Sequence, residues 1–228
     1  MNTTIADADG YWRRYYHERF QFGQGTEDLV ATLRTVPPVE RWVDLGCGSE
    51  SLLWAIALRA TRLVAVDADP HRLVLLRQMA GTHRLRGVYR TALELCEHPD
   101  PHTAWATRRA SLHATIVADC LTGDPVADPR LPERGFDLVT QIGLLGLCRT
   151  PEHFAACFTS LRRLLAPGGW AVGANWVPAR STGRVPLTAD LYQAAADRAG
   201  LRLHQLGEVP ISGDADFTAL WIYVGRSL

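Results

Sequence analysis

From Trp42 onward the chain alternates short apolar runs with longer segments of helical period, and this alternation restricts the fold more than any other feature. The runs "RWVDL", "RLVAVD", "ATIVAD", "FDLVTQIG" and "WAVGANW" read as strands, apolar enough to be buried on both faces. "SESLLWAIALRA", "DPHRLVLLRQMAG", "PEHFAACFTSLRRLLAPGG" and "ADLYQAAADRAG" read as helices. Ser49 or Ser51 is placed to cap the first of these. In the second, Asp69 is the expected N-cap, Pro70 the first helical residue and Gly81 the stop. Strands alternating with helices form right-handed βαβ units, so the chain predicts an α/β fold: seven mostly parallel strands with helices on both faces. "LRLHQLGEV" and "FTALWIYVGR" predict a closing hairpin whose last strand is antiparallel. Between Gly87 and Thr115 the period is less regular, and "DPHTAWATRRASLH" predicts an extra helix. One domain is expected over 1–228, with a helical cap over 1–40, stopped by Pro37-Pro38, and a core over 41–228.

Charge narrows the partners. The 24 basic residues balance 24 acidic ones, so nothing electrostatic attracts nucleic acid or an anionic membrane. Every basic residue is arginine, which excludes a Schiff-base or P-loop lysine and points to a GC-rich bacterial genome. No apolar run is long enough to span a bilayer, and "MNTTIADADG" lacks the parts of a signal peptide. A cytoplasmic protein, monomeric by default, is expected. Its five cysteines are scattered and include no C-x-x-C, so they read as small buried residues.

The stretch "RWVDLGCGSESL" places Gly46-Cys47-Gly48 between a strand and a helix. Glycines there allow a tight turn and close approach of a ligand to the backbone. A dinucleotide would set its pyrophosphate on that helix N-terminus. Asp44 before the loop and Glu50 after it repel a pyrophosphate, and Ser51 stands where the dinucleotide fingerprint has its third glycine. S-adenosylmethionine carries a sulfonium and an ammonium but no phosphate, and suits acids. Asp67 ends the second strand about 20 residues further on, where a carboxylate can accept both ribose hydroxyls. Asp119 ends the third strand, where its carboxylate can meet the adenine amino group, with the Cys120 N–H in reach of the ring. A plain cap of the strand end is the structural alternative for Asp119.

The motifs "VDLGCG", "VAVDAD", "VADC", "FDLV" and "LLAPGGWAV" resemble, in this order, those of the class I S-adenosylmethionine-dependent methyltransferases, which implies a Rossmann-like fold. "YWRRYYHERF", the long third connection and "DADFTALWIYVG" look like the nicotinamide, phenylethanolamine and indolethylamine N-methyltransferases. That resemblance implies methyl transfer to the nitrogen of a small-molecule amine or aromatic heterocycle. Tyr16 would hold the cofactor carboxylate, Gly46 and Gly48 with Asp44 the methionine part, Asp67 the ribose, and Asp119 and Cys120 the adenine. Ile142, ending the fourth strand, completes the cofactor side. Tyr11 would line the acceptor pocket and Asp216 would hold the acceptor amine, with Asn175 beside them after the fifth strand. The chain departs from that family at Asn175-Trp176 and at Arg72, so nicotinamide is not the expected acceptor.

Alternatives on the same residues are methylation of carbon or oxygen on an aromatic ring, a non-catalytic cofactor-binding scaffold, and a nicotinamide-dependent oxidoreductase, which the acids flanking the loop oppose. Tyr11, Tyr15 and Tyr16 read without the resemblance as an aromatic stripe packing a helix. "CEHPDPH" (96–102) gathers metal-ligating types, but two prolines stiffen it and no second cluster completes four ligands, so no metal is expected. "TQIGLLGLC" lacks the polar motif that would present a flipped base.

Overall fold

The computed structural model describes Gly10, Arg13 and residues 20–122, 124, 127–180 and 183–228. Strands β1 (Val39–Leu45), β2 (Ala60–Asp67), β3 (Leu112–Val117), β4 (Phe136–Ile142), β5 (Leu165–Pro178), β6 (Leu201–Pro210) and β7 (Phe217–Ser227) form one sheet of order β3-β2-β1-β4-β5-β7-β6. The first five pair in parallel. β7 lies between β5 and β6 and runs antiparallel to both, as the closing hairpin predicts.

Helices cover both faces. On one lie α1 (Thr26–Leu33), α2 (Ser51–Ala57), α3 (Pro70–Gly81), α4 (Gly87–Leu95) and α5 (Pro101–Ala110); on the other lie α6 (Pro151–Leu164) and α7 (Ala189–Ala199). The alternation of side chains along each strand divides the core accordingly. In β1, Trp42 packs under α2 while Val43 and Leu45 face α6. None of the described helices is long and apolar enough to cross a membrane.

α3 starts and stops as expected: the Asp69 side chain accepts from the His71 N–H at 2.9 Å, Pro70 follows it, and Gly81 closes the helix. The segment of weak period resolves into two helices, joined by stacking of buried Tyr89 on Trp105 with ring centroids 4.6 Å apart. At α2 the serine caps do not form. Glu50 occupies the cap position, and the Ser51 hydroxyl is drawn to Asp44 instead. Of the expected cap over 1–40, the described part is helical at Gly10 and Arg13, turns at 22–25 and continues as α1. Tyr11, Trp12, Tyr15 and Tyr16 lie outside the described residues.

Gly173 in β5 is a point of close approach. A Cβ there would stand 2.2 Å from Gln141 Nε2 and 2.4 Å from Tyr223 Cε1, two side chains that meet over the glycine from the flanking strands. Gly173→Ala should therefore destabilise the chain by about 1–3 kcal/mol, the usual cost of overpacking a closed core. Urea unfolding measures this; unchanged stability would mean that Gln141 and Tyr223 withdraw freely.

Candidate active site

The site is built outward from Asp44. This carboxylate, at the carboxyl end of β1, is 1% exposed. Its Oδ2 accepts from the Ser51 hydroxyl of α2 at 2.7 Å and its Oδ1 from the Thr140 hydroxyl of β4 at 2.6 Å. Thr140 in turn accepts from the Trp42 indole N–H at 2.8 Å. Burial raises the Asp44 carboxyl to about 6 even though both hydroxyls favour its charged form.

The loop that follows turns through two left-handed glycines, Gly46 at φ 62° and Gly48 at φ 58°. Neither tolerates a side chain: a Cβ on Gly46 would lie 2.6 Å from Leu144 Cδ1, and one on Gly48 would lie 2.1 Å from Glu50 Oε2. Asp67, at the end of β2, grips the loop from the side. Its Oδ2 accepts from the Gly48 N–H and its Oδ1 from the Asp69 N–H, both at 2.8 Å. Each carboxylate oxygen keeps lone pairs for a further donor. Burial raises its carboxyl above the ordinary value, against the pull of these two amides. Glu50 folds back on Ser49, accepting from both its hydroxyl and its backbone N–H, and is raised to about 7, chiefly by burial.

A cavity of about 440 Å³ opens beyond the carboxyl ends of the strands, at the switch point between β1 and β4. On the β1–β3 side it is lined by Gly46, Gly48, Glu50, Asp67, Arg72 and the Asp119–Leu121 turn. On the β4–β7 side it is lined by Ile142, Leu144, Leu147, Trp176, Phe217 and Arg184. The carboxylates thus fall on one side. The other is apolar and aromatic, and Arg184 is the charge it carries among the described residues. Trp176 is set by its indole N–H, which donates to the Gln24 carbonyl at 3.3 Å, so the segment preceding α1 meets the cavity rim.

Several expected site residues fall elsewhere or serve differently. Asp119 lines the cavity, but its carboxylate also caps its own turn, accepting from the Leu121 N–H at 2.8 Å, the Thr122 N–H at 3.0 Å and the Thr122 hydroxyl. Asn175 does not face the cavity. It is fully buried on the other face of β5, where Oδ1 accepts from the Gly146 N–H at 2.7 Å and Nδ2 donates to the Tyr192 hydroxyl at 2.8 Å. The expectation that it stands beside an acceptor is corrected: its amide is committed to holding the turn at 144–147. Asp216 is exposed and outside the cavity lining, while its neighbour Phe217 is within it. The turn there is organised by Asp214, which accepts from the Asp216 and Phe217 N–H groups and from Gln24. Arg184, Leu144 and Leu147 were not foreseen from the sequence. Arg184 sits in an irregular loop after β5, and no local pattern marks it.

The buried acids carry a pH signature. Asp44 and Glu50 hold their protons to about 6 and about 7 in the folded chain, and in the unfolded chain they ionise near their ordinary values of 3.8 and 4.5. Between those limits the folded chain binds more protons than the unfolded one, so stability falls as pH rises from about 4 to about 7. Glu50→Gln should leave stability at pH 4 nearly unchanged and raise it at pH 8 by about 1–3 kcal/mol. Denaturant unfolding at the two pH values checks this; no gain at pH 8 would mean that nearby Arg72 already compensates the charge.

A family model described as a methyltransferase domain matches residues 11–206. No curated protein matches the chain significantly. Among solved structures it is similar to the magnesium protoporphyrin IX methyltransferase of Synechocystis PCC 6803 with bound SAM, at TM-score 0.62 and 16% identity, covering 100% of this chain and 93% of that one. It is similar to the N-methyltransferase NodS of Bradyrhizobium japonicum WM9 in complex with S-adenosyl-L-homocysteine, at TM-score 0.57 and 15% identity over 89% and 85% of the two chains. It also resembles a possible exported protein of Bordetella parapertussis, at TM-score 0.57 and 16% identity, matching 88% of its own length and spanning 66% of that protein's. These likenesses at low identity establish the fold, and the family match over most of the chain adds the kind of enzyme: the chain belongs to the methyltransferase-domain family.

Proposed function

We propose that the protein transfers a methyl group from S-adenosylmethionine to a ring nitrogen of an aromatic small molecule that carries an acidic group. The observation that carries this reading is the division of the cavity: carboxylates beside the glycine loop, aromatic and aliphatic side chains with one guanidinium on the β4–β7 side. On the first side, Gly46 and Gly48 admit the methionine part, with Asp44 beneath them. Asp67 accepts the ribose hydroxyls, Asp119 and Cys120 edge the adenine, and Ile142 packs against the cofactor. Glu50 and Asp67 favour a cationic cofactor over one bearing a pyrophosphate. On the second side, Trp176 and Phe217, with ring centroids 6.3 Å apart, suit a planar ring, and Arg184 suits its carboxylate.

The chemistry is in-line displacement. The nucleophile's lone pair forms the new bond to the methyl carbon while the carbon–sulfur pair returns to sulfur, leaving neutral S-adenosylhomocysteine. The chain's contribution is alignment and exclusion of water. A heteroaromatic nitrogen needs no base, because its lone pair is free at neutral pH. A protonated amine would need a carboxylate at the acceptor end, and among the described residues none lines it. The cavity's size supports a small acceptor, and the balanced charge of the chain supports one other than nucleic acid.

Asp67→Ala should weaken S-adenosylhomocysteine binding by about 1.5–3 kcal/mol, the value of hydrogen bonds to a charged acceptor. Calorimetry on the folded variant checks this, and NAD should not bind the parent. Equal binding of NAD would reverse the choice of cofactor. Arg184→Gln should raise KM for a pyridine-type carboxylic acid about tenfold or more, and leave KM for the corresponding amide unchanged. Preferential turnover of primary amines, or equal effects on acid and amide, would refute the acceptor class.

A further inference from the structure

Behind the cavity wall, on the α6 face of the sheet, lies a group of side chains that methyl transfer does not use. Cys148 ends the short turn Leu145–Leu147, two residues before the Thr150 cap of α6. His153 and Cys157 are four residues apart on that helix, so they share a face. Among the described residues these three are the one set of potential metal ligands that converge, with their ligand atoms all within 4.8 Å of one another. We propose that Cys148, His153 and Cys157 form a binding site for a thiophilic divalent cation, zinc by its chemistry, which ties the Asp119–Thr122 turn to the start of α6.

The spacing fits tetrahedral zinc. Two thiolates at zinc–sulfur distances of about 2.3 Å are separated by about 3.8 Å across a tetrahedral edge; the two sulfurs lie 3.9 Å apart. A fourth ligand, an oxygen, is already in place. The Leu121 carbonyl lies 3.0 Å from His153 Nε2 and 3.8 Å from Cys157 Sγ. Binding replaces the two thiol protons and leaves His153 neutral, with its proton on Nδ1, so Nε2 and the Leu121 carbonyl both turn to the metal. Two protons are released, and a dication with two thiolates is neutral overall. That suits a site where Cys148 is wholly buried and Cys157 nearly so. The sequence signature is C-x4-H-x3-C, within "CRTPEHFAAC".

The test uses the full-length reduced protein with cobalt(II) and zinc as probes. Cobalt should bind at one equivalent per chain, with thiolate-to-metal absorption and tetrahedral ligand-field bands, and zinc should displace it. In a denaturant concentration that opens the zinc-free chain, zinc should also protect Cys148 and Cys157 from alkylation, read by mass spectrometry on the unmutated chain, and leave Cys96 reactive. His153→Ala should weaken cobalt binding by about tenfold or more, as loss of a ligand requires, while Cys96→Ser should leave it unchanged. Absence of the thiolate band at one equivalent, or alkylation unaffected by zinc, overturns the site. So does a Cys148–Cys157 disulfide in protein purified without reductant that takes up no metal after reduction; that result would assign the pair to redox chemistry.

Discussion

The buried Asp44 carboxylate is the interaction on which the rest of the site depends. It joins β1, β4 and the first turn of α2 through two hydroxyls, and among the described residues no cation offsets its charge. Removing either hydroxyl would leave a buried acceptor unpaired, which costs more than the bond itself contributes. With these three elements fixed, the loop between β1 and α2 has one path. Its two left-handed glycines are then clamped from β2, by Asp67 on the Gly48 amide and by the Val66 carbonyl on the Cys47 amide. On the proposed reading, the acids that shape the loop are also the acids that favour a cationic cofactor, so the same burial that costs stability at neutral pH prepares the site electrostatically.

The opposite end of the cavity is a product of topology. β7 is the strand that runs against its neighbours, so its first residue, Phe217, lies at the carboxyl edge of the sheet beside the end of β5. That reversal brings together the Asp214 turn, the segment before α1 and Trp176, linked through Gln24. Gly25, left-handed at φ 77°, packs so closely on Leu220 that a Cβ would lie 2.8 Å from its Cδ2. The turn at 144–147 is held from below by Gln141 and Asn175, both fully buried. The aromatic end thus rests on a buried polar scaffold whose side chains are not part of the cavity lining.

Much of this was legible in the chain. Strand and helix periods are local properties, and all seven strands, the antiparallel closing pair and the Asp69-Pro70 start of α3 follow from them. The glycine loop and Asp67 were legible because a tight turn and a strand-end acid need particular residue types at fixed spacing. Elsewhere a residue's type left its partner open. Ser51 is a good capping residue, yet Asp44, seven positions earlier, competes for its hydroxyl once burial leaves that carboxylate nothing else to accept from on that side. Asn175 and Trp176 are adjacent in a strand, so only one of them can face the cavity; which one depends on the register of β5 with β4 and β7.

The sequence by itself therefore determined the doubly wound α/β class, the strand that reverses and the loop at the switch point, because each is set by periodicity or by a backbone requirement within a few residues. Tertiary structure alone decided which side chains share a space. Arg184 becomes the charge on the β4–β7 side of the cavity, and Cys148, His153 and Cys157 converge on the Leu121 carbonyl, through elements distant in sequence. Asp216 is exposed, and it is the adjacent Phe217 that lines the cavity. The physical reason is that side-chain function depends on direction and desolvation, and both are set by packing between elements rather than within them.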